Sequence, residues 1–319
     1  MRKIFSILLT ILIISTCSIN VMAADVKTVI SGKTTVTIGD WVYEAINGGS
    51  YWELDEYKGN GGDLTIPRIV NDKMVVSIGS HCFLNNTTVK NVTTSSPLWT
   101  VDDYAFLNCT SLESFECNFA LKEIGVGAFS GTSALKSINL EDSVVTEISP
   151  HAFMSSGIVS VKLPETCTTI KHDAFSQCPN LKDVEISNSV TSIDSKAFAS
   201  CPNLKTVIIP DSVTEIDDTA FDGCSGDMFI ICNSNSYAAT YAASKNIDVL
   251  ELDNPVYGDS NADGKVNILD VTAIQRYKIG EQELNEYGMR CADVNHDGSI
   301  TVRDATLIQM KLAKYDVDF

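Results

Sequence analysis

Residues 170–187 read IKHDAFSQCPNLKDVEIS, and residues 193–210 read IDSKAFASCPNLKTVIIP. The two stretches carry Ile, Ala-Phe, Cys-Pro-Asn-Leu-Lys, Val and Ile at the same offsets, 23 residues apart. A looser copy, IGVGAFSGTSALKSINLE, occupies residues 124–141. The pattern recurs between residues 75 and 232, anchored on Phe83, Phe106, Phe129, Phe153, Phe175, Phe198 and Phe221 at spacings of 23, 23, 24, 22, 23 and 23. So regular a period predicts a solenoid, in which each unit is too small to bury its own apolar edge and is stabilised by its neighbours.

Within a unit, Ala-Phe-x-x-Cys-x-x-Leu places apolar residues at helical-turn intervals. Leu181, Val184 and Ile186 then alternate with period two, the pattern of a short strand. Pro164 and Pro210 end that strand, because proline cannot donate to a continuing ladder. A segment such as Val213–Ile216 leads into the next unit.

Ten cysteines are present. Cys109, Cys178, Cys201 and Cys224 lie three residues after the anchoring Phe, and Cys117 and Cys232 replace the second apolar residue of the strand. Cys82 takes the alanine site before Phe83, and Cys167 takes a valine site. These are small buried positions that suit a thiol. Stacked Cys178, Cys201 and Cys224 are also close enough for a disulfide to be the alternative, but in-phase side chains point the same way, which is poor disulfide geometry.

The repeats resemble the BspA-type leucine-rich repeat family of bacterial surface and secreted proteins, over residues 41–250. YWELDEYKGNGGDLTIP at 51–67 resembles that family's N-terminal cap, and SYAATYAASKNIDVL at 236–250 its closing helix and strand. The resemblance implies adhesion, binding or scaffolding without choosing among them. The outward strand row, Glu116, Asn139, Lys162, Glu185 and Ile208, has neither an aromatic run for sugar stacking nor one sign of charge. Trp41, Tyr51, Trp52, Tyr57 and Trp99 cluster by sequence, either as a plug for the open end or as a binding face.

The other decisive stretches are DSNADGKVNILD at 259–270 and DVNHDGSITVRD at 293–304. Each has oxygen-bearing side chains at positions 1, 3, 5, 9 and 12 and glycine at 6, the ligand spacing of a calcium loop. Aspartate stands at position 12, where an EF-hand has glutamate. Helices are expected only after the loops, in VTAIQRYKIG (271–280) and ATLIQMKLAKY (305–315). The copies are offset by 34 residues, and a single such loop would be a weaker signal than two in register.

Residues 257–316 closely resemble a type I dockerin, the calcium-dependent module that docks onto cohesin domains of scaffoldins in cellulosome-like assemblies. The resemblance implies two Ca2+ ions. The first would use Asp259, Asn261, Asp263, Asp270 and the Lys265 carbonyl, with Asn267 through water. The second would use Asp293, Asn295, Asp297, Asp304 and the Ser299 carbonyl, with Thr301 at the ninth position. It also implies cohesin contacts at Ile268, Leu269, Gln275, Arg276 and Gly280 in one copy, and at Val302, Arg303, Gln309, Met310 and Lys314 in the other. Ile-Leu against Val-Arg breaks the symmetry of the halves, so one preferred docking orientation is expected. The bland reading of Ile268, Leu269, Val302 and Met310 is helix-packing core, with at least one such residue in each copy. Tyr257 and Tyr315 flank the module, and a stack between them, or on Pro255, would tie its ends together.

A formal net charge of −18 argues against nucleic acid, which needs Lys/Arg patches. Arg2, Lys3, the apolar run Ile4–Ile14 and the small residues around Val21–Ala23 read as a secretory signal peptide. No second apolar run predicts a membrane span. None of His81, His151, His172 and His296 lies in HExxH or a nucleophile-and-base signature, and Cys167 with His172 is excluded as a catalytic pair if Cys167 is core.

The expected fold class is α+β: a leucine-rich-repeat solenoid of about seven 23-residue units with caps, plus a small all-α dockerin with two loop–helix (F-hand) motifs. The expected division is a signal peptide at 1–23, the solenoid at 24–252, a linker at 253–258 and the dockerin at 259–319. The leading functional expectation is a secreted, non-catalytic member of a cohesin-based extracellular complex, held at the cell surface through a scaffoldin, whose repeats bind a further ligand. The alternatives are a free calcium-stabilised adhesin and an enzyme whose site is unrecognised.

Overall fold

The computed structural model describes residues 26–30, 33–95, 97–117, 121–315 and 317; the expected signal peptide lies outside them. Most repeats lay down two short strands, and both kinds pair in parallel with those of the neighbouring repeat. One row runs through Ser160–Lys162, Asp183–Glu185, Thr206–Ile208 and Phe229–Cys232. Its register, Val161 to Val184 to Val207 to Ile230, is the sequence period made spatial. The other row pairs Glu147–Ile148, Thr169–Ile170, Ser192–Ile193 and Glu215–Ile216. Both rows are interrupted around the unit of Phe129, which is followed at 24 residues rather than 23.

The anchoring phenylalanines stack into one column. Successive rings from Phe83 to Phe221 are 4.7–5.5 Å apart and within 7° of parallel. The spacing follows from the ~4.8 Å separation of hydrogen-bonded strands, which sets how closely one repeat follows another.

The Ala-Phe segments are not the helical turns expected from their apolar spacing. Residues two before and two after the Phe take left-handed backbone, for example Tyr104 (φ 58°) with Asn108 (φ 58°), and Asp173 (φ 56°) with Gln177 (φ 59°). Such residues interrupt an α-helix. Instead, every second N–H points along the solenoid axis. Phe153 N donates to Ala174 O at 2.8 Å, and Phe175 N to Ala197 O at 2.7 Å. The turn face therefore carries an inter-repeat ladder of its own, which the 3.6-residue reading missed.

All nine described cysteines are free thiols. The thiols of Cys109, Cys178, Cys201 and Cys224 donate to the carbonyls of Phe83, Phe153, Phe175 and Phe198 at 3.0–3.2 Å. They satisfy a buried acceptor in the preceding repeat as well as filling space. Cys167 is fully buried, and burial pushes its thiol up to about 11, so it is no nucleophile for His172.

An antiparallel meander, Val26–Ile30, Lys33–Ile38, Trp41–Ile46 and Tyr51–Tyr57, closes the N-terminal end. The aromatic cluster serves this closure. Tyr57 lies 5.4 Å from Phe83 at the head of the ring column, and the indole of Trp52 is buried and donates to Val70 O. At the other end helix α1 (Tyr237–Lys245) places Tyr241 over Phe221 at 6.1 Å, and Asp248–Glu251 adds a last parallel strand. This matches the expected closing helix and strand. Among the described residues no helix is long and apolar enough to cross a membrane.

Replacing Phe153 with Ala removes a ring from the middle of the column and should cost about 3–5 kcal/mol, read as a lower urea midpoint. A pH effect follows from the N-terminal cap. Burial, reinforced by the neighbouring Asp102 carboxylate, raises Glu53 to about 7 despite a hydrogen bond from Ser77. Between about pH 4.5 and 7 the folded chain therefore binds more protons than the unfolded chain, and this group's contribution falls as pH rises. Glu53→Gln should flatten the decline of the melting temperature across that window.

Candidate metal centres and partner-binding face

The small module is built on helices α2 (Ile268–Lys278), α3 (Glu286–Ala292) and α4 (Val302–Leu312). α2 and α4 pack through Val271, Ile274, Ala305 and Ile308, with Ala292 and Val294 between them. Loop one has no entering helix, as expected. Loop two does: α3, unforeseen in the sequence, runs directly into Asp293. Its seven residues, EYGMRCA, are too few to show a periodic apolar stripe.

The two loops have the same internal wiring. In loop one Asp263 N and Gly264 N donate to the two oxygens of Asp259, Asp263 N also to Asn261 Oδ1, and Lys265 N to Asp263 Oδ1. In loop two Asp297 N and Gly298 N donate to Asp293, Asp297 N also to Asn295 Oδ1, and Ser299 N to Asp297 Oδ1. Gly264 (φ 77°) and Gly298 (φ 81°) supply the left-handed backbone of the turn. At position 12, Asp270 accepts from Asn261 N and Asn267 N, and Asp304 accepts from Asn295 N and Thr301 N. The twelfth carboxylate thus ties the start of each loop to its end.

Position 9 has a second role. Asn267 and Thr301 cap their helices, accepting from Leu269 N and Arg303 N, while Asp270 and Asp304 return the bond. These capping boxes start the helices three residues before the expected VTAIQ and ATLIQ segments. Asp259, Asp270 and Asp304 are fully buried. Burial raises Asp259 to about 6, with the nearby charges of Asp270 and Asp263 adding to the shift. Convergent, oxygen-only, acidic and buried, this donor set fits a hard divalent cation such as Ca2+.

The positions expected to meet a partner lie on the surface. Ile268 (58%), Leu269 (57%) and Val302 (61%) are strongly exposed, and Gln275, Arg276, Arg303, Gln309 and Lys314 are exposed as well. Met310 is half-buried. The packing-core reading is therefore wrong for Ile268, Leu269 and Val302, because Val271, Ile274, Ala305 and Ile308 fill that role. The tyrosine clasp is also corrected. Tyr257 meets His296 edge-on at 4.5 Å, and Tyr315 is 64% exposed.

The module is seated on the solenoid. The outward strand row turns apolar toward its end, pairing Glu185 with Ile208, Ile231 and Leu250 in turn. Ile208, expected to face solvent, is buried with Ile231, Leu250 and Leu252 against Ala262, Tyr287 and Cys291. Tyr287 Oη accepts from Val256 N at 3.1 Å, and Arg290 Nη1 donates to Leu252 O at 3.2 Å. Loop one and α3 form the buried side, leaving the exposed first turns of α2 and α4 free.

The repeat region matches the family model for the BspA type leucine rich repeat region in six copies, over residues 63–181 and 128–249. Together these span more than half of the chain. The protein belongs to the BspA-type leucine-rich repeat family. Residues 257–313 match the dockerin type I domain, so this repeat protein carries a dockerin, a calcium-binding module, at its C-terminal side. A leucine-rich repeat protein from Bacteroides ovatus is 25% identical with a TM-score of 0.53, over 62% of this chain and 55% of its own. The chain thus spans about half the length of that relative. A Eubacterium ventriosum leucine-rich repeat protein is 20% identical over 67% of this chain and 68% of its own, with a TM-score of 0.41. The T. pallidum repeat protein TpLRR is 21% identical over 61% and 86%, with a TM-score of 0.41. A comparison with curated proteins gave no match.

A Cβ at Gly288 would lie 2.3 Å from the Ser260 carbonyl oxygen, backbone against backbone. Gly288→Ala should therefore force α3 away from loop one and cost about 1–3 kcal/mol, measured as a lower melting temperature of the full chain.

Proposed function

We propose that the protein is a secreted, non-catalytic component of a cohesin–dockerin assembly. In this reading residues 1–23 direct export and are removed, and residues 253–258 link the two parts. Residues 259–319 plug into a scaffoldin cohesin, and residues 24–252 present a surface to a protein, cell or polysaccharide partner. The repetition in the C-terminal module carries the reading. Two loop–helix units with the same hydrogen-bond wiring each project an exposed pair, Ile268–Leu269 or Val302–Arg303, from the first turn of a helix.

Two Ca2+ ions would be held by Asp259, Asn261, Asp263, Asp270 and the Lys265 carbonyl, and by Asp293, Asn295, Asp297, Asp304 and the Ser299 carbonyl. Asn267 and Thr301, as helix caps, would act through water. The bound ions supply positive charge that offsets the clustered carboxylates. The chain does the rest. Asp270 and Asp304 hold loop and helix together through their backbone bonds, so loop order and helix position change as one. The caps aim the exposed pairs outward. Gln275 and Arg276, with Gln309, Met310 and Lys314, extend the face along the two helices. Because Ile-Leu and Val-Arg differ in charge and shape, the cohesin binds in one preferred orientation.

The apolar seam between module and solenoid supports a second reading, a free surface adhesin in which the calcium module only stabilises the solenoid end. Pull-down of the full chain on a cohesin panel, with calcium or with a chelator, separates the two. Calcium-dependent capture is expected, and absent or chelator-insensitive capture overturns the assembly reading. Of two double variants, Ile268→Asp with Leu269→Asp and Val302→Asp with Arg303→Asp, one should lose at least about tenfold in affinity, roughly 1.4 kcal/mol, while the other keeps most of it. Equal losses overturn the single orientation.

A further inference from the structure

On the turn face of the solenoid, where the unit of Phe153 meets the unit of Phe175, two imidazoles and a carboxylate converge. One ligand atom from each of His151, His172 and Asp173 lies within 4.8 Å of the other two. His172 Nδ1 and Asp173 Oδ2 are 3.4 Å apart, and the two imidazole rings meet edge to face at 4.8 Å. His151 Nδ1 is shielded from solvent and has no hydrogen-bond partner. A buried ring nitrogen left in that condition carries a desolvation cost, which a ligand bond would remove.

The grouping belongs to this junction and not to the repeat as such. The residues three and two before the anchoring Phe are His172 and Asp173 here, but Val126 and Gly127 in one unit and Ser195 and Lys196 in another. Stacking brings His151 of the preceding unit beside them. The backbone under the cluster is fixed by the axial ladder, with His151 N donating to His172 O at 3.2 Å and Asp173 N to Ser195 O at 3.0 Å. Both residues hold left-handed backbone, φ 57° and 56°. Lys171, beside His172 in sequence, has its ammonium turned to Glu147 at 3.8 Å.

We propose that His151, His172 and Asp173 form a binding site for a divalent transition-metal ion of the zinc type, with the fourth position open to water. Two nitrogens and one carboxylate oxygen suit Zn2+ and its neighbours, whereas the all-oxygen loops of the C-terminal module suit calcium. Metal–ligand bonds of about 2.0–2.2 Å put the ligand atoms of a tetrahedral ion roughly 3.4 Å apart. One pair already has that separation, and the remaining closure needs only side-chain rotation on a fixed backbone. Placement on rigid, hydrogen-bonded turns means that little order has to be created on binding.

The test is a zinc chloride titration of the full chain in excess calcium, followed by calorimetry and by the histidine resonances in NMR spectra. One equivalent of zinc should bind, with the His151 and His172 resonances shifting together. His172→Ala and Asp173→Asn should each weaken that binding at least tenfold without lowering the melting temperature of the zinc-free protein. Asn keeps the left-handed backbone available at position 173. His296→Ala, which alters an exposed histidine within the second loop, should change nothing. No saturable zinc binding, or one equivalent bound with unchanged affinity in His172→Ala, overturns the proposal; the latter means that zinc binds elsewhere on the chain, for example at Glu44, Glu53 and Asp55.

Discussion

A column of phenylalanine rings, each about 5 Å from the next and nearly parallel to it, sets the geometry on which the rest of the molecule depends. The rings can stack only if every repeat advances by one strand spacing, and both strand rows and the turn ladder advance by that same step. The constraint is mutual. A Phe175 N–H bonded to Ala197 O holds the ring in line, while Cys201 Sγ satisfies the carbonyl of Phe175 behind it. Removing any one link leaves a void or an unpaired buried group in a unit that has no separate core to fall back on.

The same dependence makes the two ends the costly places, because an open end exposes a ring and a row of unpaired backbone groups. Tyr57 and Trp52 cover the first end, and Tyr241 covers the last ring. The C-terminal end has a further cover. Its outward strand row becomes Ile208, Ile231 and Leu250, and the small module lies on that patch. Loop one gains burial from this seat, with Asp259 fully enclosed while Asp293 of loop two is only partly so. Two loops with the same ligand spacing are thereby placed in unequal surroundings, and the exposed first turns of α2 and α4 lie outside the buried seam.

The repeat period, the core positions, the eight repeat cysteines, the closing helix and both loops were legible because each rests on local spacing. The ninth described cysteine, Cys291, and helix α3 were not, since a seven-residue helix has too little sequence to show a period. The turn segments were misread as helical for a related reason. Apolar residues three and four apart can be satisfied by alternating right- and left-handed backbone when the hydrogen-bond partner is the next repeat, and a single unit does not reveal that partner. The exposure of Ile268, Leu269 and Val302 was equally undecidable, since apolar residues at the start of an amphipathic helix suit a core or a contact face alike.

By itself the sequence determined the period of the solenoid, the residues that line its core and the two calcium-type loops, because these are one-dimensional patterns imposed by backbone geometry and ligand spacing. Tertiary structure alone decided which outward residues meet a partner within the chain and which remain free. Ile208 ends up buried and Ile268 exposed, though both are isoleucines with no local signal to separate them. Only packing between segments distant in the sequence determines that difference, as the stacking of adjacent repeats determines the meeting of His151 with His172.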